Sequence, residues 1–400
     1  MAVVPGIEIL VEERPGLCRG RRVGVLCHPA SVTPDLAHVV DRLIDAGVRP
    51  THLFGPEHGV RGEAQDMVGV VAERDRRTGI PVSSLYGDSF ASLSPSREAL
   101  GEIDVLLVDL QDIGSRYYTY VWTMALAMQA AAAARVQVVV LDRPNPLGGV
   151  AVEGGDVEPA AESFVGLGSV PVRHGLTIGE MARLIRAGIP WGAERFKAPL
   201  DCDLEVVPMR GWRRQDAFEA TGLPWVLPSP NMPTVDTAFV YPGLCLLEGT
   251  NVSEGRGSTR PFEIIGAPFL DGYRLCESLA AHDLPGVRFR PLSFRPTFQK
   301  HAGKSCGGLQ LHVTDRRSFL PYRTGIALLR ELWQVGGEHF AWRKEPYEFV
   351  SNLPAIDLLT GSAEVRRGVE RGLPLAEICA CFLPAERAFY DRRRPHLLYD

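Results

Sequence analysis

The sequence predicts an α/β protein of two domains, with a mostly parallel sheet in the first. The chain has 400 residues, and a typical domain takes about 100–200 residues. In the first third, short segments that are apolar throughout alternate with helical segments. Strands that are apolar on both faces are typical of a parallel sheet that helices cover on both sides.

The predicted elements follow one another in strand–helix order. Strands are expected at residues 23–27, 51–54, 82–86, 104–109 and 136–141. Helices are expected at residues 33–46, 118–135 and 177–187. The first helix is predicted from Thr33-Pro34-Asp35, which supplies a capping hydroxyl, a proline in the first turn and an acid.

A proline-rich segment separates the two predicted domains. Three prolines within residues 225–233 exclude regular structure there, and we place the domains at 1–227 and 228–400. The second domain is expected to carry helices near residues 272–281 and 323–335 and a strand at 309–313.

Charge and cysteine usage exclude several classes of protein. The net charge is −5 with both signs mixed along the chain, and no basic run indicates a nucleic-acid partner. No apolar run approaches the roughly 18 residues of a membrane-spanning helix, so we expect no membrane partner. The eight cysteines form no Cys-x-x-Cys pair, and the N-terminus has no secretory signal. Reduced thiols and the missing signal predict a cytoplasmic protein.

Three polar clusters stand where predicted strands end. They are Glu57-His58, residues 109–112, and Asp142-Arg143. In open α/β sheets, ligands bind outside the carboxyl ends of the strands. The clusters are therefore expected to converge on one edge of the sheet.

The first cluster offers a candidate general acid. Glu57 follows Gly55-Pro56 directly at a strand end, and a carboxyl held on such a turn beside apolar residues is suited to proton transfer. His58 would orient it or bind substrate. Capping of the next helix, or an ion pair with Arg61, would explain the same acid without a catalytic role.

The second cluster suits a sugar ligand. Asp109 and Asp112 are followed by Arg116 and by tyrosines that include Tyr118. Sugar hydroxyls bond to carboxylates and amides, while the apolar face of a sugar rests on aromatic rings. Helix capping by Asp112 and core packing by the tyrosines are the alternative, and the predicted strand end at Asp109 favours function.

Residues 248–262 form the densest polar stretch of the chain, with three glycines among charged groups. Glycine lets backbone N–H groups approach a ligand closely. The stretch matches neither a Walker A loop nor a Gly-x-Gly-x-x-Gly fingerprint, so a phosphate cradle is not indicated. A solvent loop would rarely need so many charged groups, and ligand binding is favoured.

Two other kinds of chemistry are not supported. Residues 303–307 fit Gly-x-Ser-x-Gly by letter but lack the apolar strand that must precede a nucleophile elbow, so a turn is expected there. No spacing of histidines and acids matches a metal site. We expect no metal and no other cofactor.

Seven segments, in order, resemble a single family. They are residues 54–62, 84–87, 109–120, 141–149, 171–180, 228–234 and 248–262. Together they are similar to the NamZ-type exo-acting β-N-acetylmuramidases, a family long catalogued as a domain of unknown function. The likeness extends from about residue 20 to residue 390.

The resemblance implies a Rossmann-like N-terminal domain, a smaller C-terminal α/β domain and an active cleft between them. It implies hydrolysis of a β-1,4-linked N-acetylmuramic acid at the non-reducing end of peptidoglycan fragments. The catalytic candidates are Glu57, His58, Asp109 and Asp112, with Glu57 as the acid. The substrate-binding candidates are Arg61, Arg116, Tyr118, Asp142, Arg143, His174, Asn231, Glu248, Asn251, Glu254, Arg256 and Arg260.

The chemistry of muramic acid indicates which kinds of side chain the site needs. The lactyl carboxylate of muramic acid needs a cation, and guanidinium binds carboxylate with two parallel hydrogen bonds. A two-carboxylate mechanism and attack by the substrate's own acetamido group are both open, with Asp109 or Asp112 as the second group. The alternative function is a non-catalytic sugar- or nucleotide-binding module on the same scaffold.

Overall fold

The computed structural model describes residues 2–61 and 74–400. Six strands form a parallel sheet in the order β3-β2-β1-β4-β5-β6, which is the strand order of a Rossmann fold. The strands are β1 Val23–Cys27, β2 His52–Gly55, β3 Val82–Ser84, β4 Val105–Asp109, β5 Gln137–Leu141 and β6 Leu204–Val207. The predicted parallel sheet is confirmed.

Alternate residues of the central strands bury against helices on opposite faces. In β4, Val105 and Leu107 belong to the apolar cluster that contains Ile7 and Leu43. Leu106 belongs to the cluster of the opposite face. This arrangement explains why the strands read as continuous apolar runs, since neither face meets water.

Helices follow the strands and continue into the second half of the chain. They are α1 Gly6–Glu13, α2 Val39–Asp45, α3 Arg97–Gly101, α4 Tyr120–Ala134, α5 Ile178–Ala187, α6 Val235–Leu244, α7 Gly272–Leu279, α8 Pro321–Gly336, α9 Ala355–Thr360, α10 Glu364–Glu370, α11 Leu375–Ala380 and α12 Leu383–Arg393. At the start of α5, Thr177 and Glu180 bond reciprocally to each other's backbone in a capping box.

The second half carries an antiparallel sheet of three strands in the order β7-β9-β8. These are β7 Ile264–Ala267, β8 Val287–Phe294 and β9 Cys306–Val313. One apolar cluster contains Leu106 of the first sheet together with Leu328 of α8 and Ile356 of α9. The halves therefore share a core, and the division at residue 227 or 228 stays a proposal.

The predicted helix at 33–46 begins later than expected. Leu36 has a left-handed backbone with φ of 70°, which an α-helix does not contain. Thr33 instead accepts a hydrogen bond from the backbone N–H of Ala37 at 3.0 Å in a turn. The helix α2 starts at Val39, after an N-cap at His38.

His38 gives the protein a pH-dependent stability that can be measured. Burial lowers the pKa of His38 to about 4, with the nearby Arg61 acting in the same direction. The unfolded state therefore binds the extra proton first, and stability is lost as the pH falls from about 6.5 towards 4. For His38→Asn, which keeps an N-cap acceptor, the loss of unfolding free energy on acidification should be shallower by up to about 1.4 kcal/mol per pH unit.

Denaturant unfolding at several pH values between 4.5 and 7 measures that slope in both proteins. The prediction concerns how steeply the unfolding free energy changes with pH in each protein. A lower stability of His38→Asn at pH 7 alone would therefore not contradict it. Equal slopes for the two proteins would show that His38 does not stay neutral in the fold.

None of the helices in the described part of the chain has both the length and the apolar character needed to cross a bilayer.

Candidate active site

Glu57 lies on a constrained turn at the end of β2. The next residue, His58, has a left-handed backbone with φ of 72°, and Gly59 follows with φ of 78°. The Gly59 N–H donates to the Pro56 carbonyl at 2.9 Å and closes the turn. A left-handed non-glycine residue costs on the order of 1–3 kcal/mol and persists only where the surroundings hold it. The turn fixes the position from which the half-buried Glu57 carboxyl projects.

The start of α4 and the proline-rich segment hold Glu57 from the other side. The Thr119 hydroxyl, at the N-cap of α4, lies 3.5 Å from Glu57 Oε2. The Tyr120 hydroxyl donates to the Pro228 carbonyl at 2.7 Å and lies 3.5 Å from the Glu57 carbonyl. The turn after β2, the start of α4 and the proline-rich segment therefore meet around Glu57.

A cavity opens beside Glu57 and is lined by residues of both halves. The lining residues are Glu57, His58, Tyr117, Tyr118, Thr119, Tyr120, Val165, Ser229, Asn231, Met232, Tyr241, Glu248, Arg256, Phe262, Tyr347 and Glu348. Tyrosines dominate the wall, and a few charged and amide groups stand among them.

The second half contributes an ion pair to this cavity. Arg256 Nη2 donates to Glu248 Oε1 at 2.7 Å, and the Tyr347 hydroxyl donates to Glu248 Oε2 at 2.7 Å. Hydrogen bonds to both carboxylate oxygens hold the Glu248 side chain in place at the wall.

Glu254 and Lys300 extend this pair behind the wall. Glu254 lies 3.3 Å from Arg256 Nε and 2.9 Å from Lys300 Nζ. Burial acts to raise the pKa of Glu254, but the two cations hold it below its ordinary value. The sequence analysis missed Lys300, since it lies 46 positions from Glu254 and no local pattern connects the two.

Aromatic rings and one amide complete the site. The rings of Tyr118 and Tyr241 meet edge to face at 5.7 Å, those of Tyr241 and Phe262 at 4.8 Å. Asn231 is buried, and its Nδ2 has no hydrogen-bond partner within the described residues. A buried amide donor without a partner is costly, and a ligand oxygen in the cavity would satisfy it.

Asp109 and Arg143 bond to each other away from this cavity. Asp109 is 0% exposed, and Arg143 Nη2 donates to Asp109 Oδ2 at 2.8 Å while also bonding to the Val32 carbonyl at 2.9 Å. Arg143 lines a smaller cavity beside Pro224 and Trp225. The pair fastens the ends of β4 and β5, and the structure does not bring it to Glu57.

Asp112, His174 and Arg116 are also buried within the protein. Asp112 Oδ2 accepts the Gly114 N–H at 2.7 Å and lies 3.5 Å from His174 Nε2. Arg116 is 0% exposed, and its guanidinium donates to backbone carbonyls that include Val170 at 2.9 Å. These groups satisfy the backbone of the loops behind the tyrosines and do not line the cavity.

The remaining predicted residues are placed elsewhere. Arg61 pairs with Asp75 at 3.0 Å, and Gly62 of the first motif lies outside the described residues. Asn251 joins its loop to residues 339–341. Arg260 pairs with Glu263 at 3.1 Å.

Asp142 has a structural environment at the end of β5. The hydroxyls of Thr177 and Tyr399 donate to its Oδ2 at 2.8 and 2.6 Å. These bonds tie the C-terminal tail to the first sheet. Of the predicted residues, the structure brings Glu57, His58, Tyr118, Asn231, Glu248 and Arg256 together at one cavity.

His28 is a further residue that sequence reasoning did not single out. Its Nε2 accepts the Gln111 N–H at 2.7 Å, and its ring packs 4.8 Å from the ring of Tyr120. Burial lowers the pKa of His28 well below its ordinary value, so the ring is neutral. It holds the end of β4 against the segment that carries the cavity wall.

The family and structural comparisons agree across the whole chain. A family model described as exo-β-N-acetylmuramidase NamZ matches residues 23–236 with its N-terminal part and residues 239–399 with its C-terminal part. The peptidoglycan β-N-acetylmuramidase NamZ of Bacillus subtilis strain 168 is 44% identical over 398 residues, which cover 99% of this chain and 91% of that protein.

Two crystal structures of DUF1343 family proteins from Bacteroides fragilis share the fold. The first superposes with a TM-score of 0.88 at 32% identity, and the second with a TM-score of 0.78 at 28% identity. Each match covers 100% of this chain and 99% of the other.

Proposed function

The chain belongs to the NamZ family of exo-β-N-acetylmuramidases, and we propose that it hydrolyses β-1,4-linked peptidoglycan fragments to release the N-acetylmuramic acid at their non-reducing end. The single observation that carries this proposal is the shared cavity. Glu57 from the first half and the Glu248–Arg256 pair from the second line the same space. Hydrolysis of an acidic sugar needs a proton donor, a stabilising negative charge and a cation, and these three groups provide them.

Glu57 is the proton donor in this proposal. A general acid must project into the space that the substrate fills and must be held there. The left-handed turn at His58 and the contact with Thr119 provide that fixed position. Glu57 would give its proton to the glycosidic oxygen as the leaving sugar departs.

Glu248 takes the place of the second carboxylate. Asp109 and Asp112, which the sequence suggested for it, are buried outside the cavity. Glu248 lines the cavity and is held there by its bonds to Arg256 and Tyr347. A fixed negative charge of this kind stabilises the positive charge that develops at the anomeric carbon, and it can orient water or the acetamido group.

Arg256 is the cation for the lactyl carboxylate. Among the described residues it is the one arginine that lines the cavity. Its guanidinium lies over the Phe262 ring, 5.2 Å from the ring centre, and this contact fixes its plane. The open-chain acid that distinguishes muramic acid from N-acetylglucosamine would bond to it.

The direct test uses two isomeric disaccharides. The protein should split N-acetylmuramyl-β-1,4-N-acetylglucosamine into its two monosaccharides, which chromatography with mass detection resolves. It should cleave N-acetylglucosaminyl-β-1,4-N-acetylmuramic acid far more slowly, because the terminal sugar of that isomer lacks the lactyl group. Saturable binding of the first disaccharide without any product would identify a non-catalytic binding module and overturn the proposal.

A further inference from the structure

A strained turn stands at the mouth of the cavity. Tyr347 and Val350 pair through backbone hydrogen bonds in both directions, each at 2.9 Å. The two residues between them, Glu348 and Phe349, have φ of 46° and 67°. Positive φ at both central positions is the pattern of a type I′ turn, which strongly favours asparagine and glycine.

The side chains of this turn explain why it carries a glutamate and a phenylalanine instead. Tyr347 points inwards, where its hydroxyl bonds to Glu248, and Glu348 lines the cavity. Phe349 is 41% exposed. A bulky residue in the left-handed region costs on the order of 1–3 kcal/mol, and such strain is concentrated at functional sites.

Phe349 is placed against an aromatic residue of the first half. Its ring meets the ring of Phe90 edge to face, with centroids 6.2 Å apart and planes at 84°. The guanidinium of Arg195 covers the Phe90 ring at 4.7 Å. The two phenylalanines therefore form a supported apolar patch, here called the rim patch, where the halves meet beside the cavity.

We propose that the rim patch is the subsite for the leaving sugar, with Phe349 as the residue that stacks on N-acetylglucosamine. This inference rests on the proposed function. In an exo-acting enzyme the terminal sugar fills the cavity, so the next sugar must lie at its mouth. Phe349 follows Glu348 of the cavity wall directly and presents an exposed apolar face of the kind on which a pyranose ring rests.

Two substrates that differ only in the leaving group test the assignment. One is N-acetylmuramyl-β-1,4-N-acetylglucosamine, and the other is the β-glycosyl azide of N-acetylmuramic acid, whose leaving group is too small to reach the rim. Phe349→Ala should lower kcat/KM for the disaccharide about tenfold, as loss of one stacked ring does. It should leave kcat/KM for the azide unchanged, and Phe349→Trp should keep the activity on both.

Phe349→Asn distinguishes the loss of the aromatic ring from a loss of stability in the turn. Asparagine accepts a left-handed backbone, so this variant should melt at a higher temperature than Phe349→Ala while losing disaccharide activity to the same extent. Tyr273→Ala is the matched control, because Tyr273 is 72% exposed on α7 and does not line the cavity. It should change neither substrate's kcat/KM.

The outcomes distinguish this inference from the function on which it rests. If the wild type cleaves both substrates but Phe349→Ala loses activity equally on both or on neither, the subsite is wrong and the function stands. A loss confined to substrates with a peptide on the lactyl group would also overturn the assignment to a sugar. A wild type inactive on both substrates would overturn the proposed function and this inference with it.

Discussion

Glu57→Gln should lower kcat for the release of N-acetylmuramic acid from the disaccharide by about 10²–10⁴-fold, the usual contribution of a general acid. Glutamine keeps the size of the side chain and an acceptor for Thr119, which lies 3.5 Å from Glu57 Oε2. It removes the proton that the leaving oxygen needs. The fold and the affinity for substrate should be retained, and chromatography of the products measures the loss.

If Glu57 is the general acid, the effect of replacing it should depend on the leaving group of the substrate. An aryl glycoside whose phenol has a low pKa departs without protonation, so Glu57→Gln should lose far less activity on it than on the disaccharide. Glu338→Gln serves as a control, because that side chain is 88% exposed and should leave both rates unchanged. Equal losses of Glu57→Gln on both substrates would assign Glu57 to binding or structure instead of proton transfer.

Arg256→Gln should lower kcat/KM for muramic acid substrates by roughly 10–100-fold, which corresponds to about 1.5–3 kcal/mol for hydrogen bonds to a charged group. The matched β-N-acetylglucosaminide lacks the lactyl carboxylate, so its slow hydrolysis should fall much less. The informative quantity is the ratio of the two kcat/KM values, because Arg256 also pairs with Glu248 and Glu254.

Arg256→Lys provides the matched variant for this ratio. Lysine keeps the charge beside Glu248 but cannot form the planar two-bond contact with a carboxylate. We expect selectivity between that of the wild type and that of Arg256→Gln. A ratio that stays at the wild-type value in both variants would mean that another group reads the lactyl carboxylate.

The sequence pattern predicted the first sheet well because burial on both faces leaves a direct signature. The apolar run Val105–Asp109 becomes the central strand β4, paired with β1 and β5. The second half was predicted less completely. β7, β8 and the short helices α9–α12 were not foreseen, because they pack against a core assembled from distant segments.

The sequence predicted which segments meet at the candidate site, but it predicted less well which of their side chains line the cavity. A strand end places a residue at the sheet edge without fixing what its side chain contacts. Asp109 ends one buried strand and Glu57 follows another, yet Asp109 pairs with Arg143 whereas Glu57 lines the cavity. The left-handed backbone of His58, which the strand–turn pattern does not specify, distinguishes the two cases.

Other roles in the site depend on tertiary contacts alone. Lys300 lies just before the expected turn at residues 303–307, where no sequence pattern indicated a site, and it bonds to Glu254 and to the Leu247 carbonyl at 2.8 Å. Arg116 has the charge that suits a carboxylate ligand, but both of its Nη atoms already donate to backbone carbonyls. Sequence spacing cannot tell whether a charged side chain lines the cavity or bonds within the fold, because it does not show which groups lie beside that side chain.

The most direct measurement is a crystal structure of Glu57→Gln soaked with N-acetylmuramyl-β-1,4-N-acetylglucosamine. We expect the muramic acid ring in the cavity, its glycosidic oxygen next to residue 57 and its lactyl carboxylate bonded to Arg256. Well-ordered disaccharide at another place, such as the smaller cavity beside Trp225, with the space between residue 57 and Arg256 empty, would contradict the account.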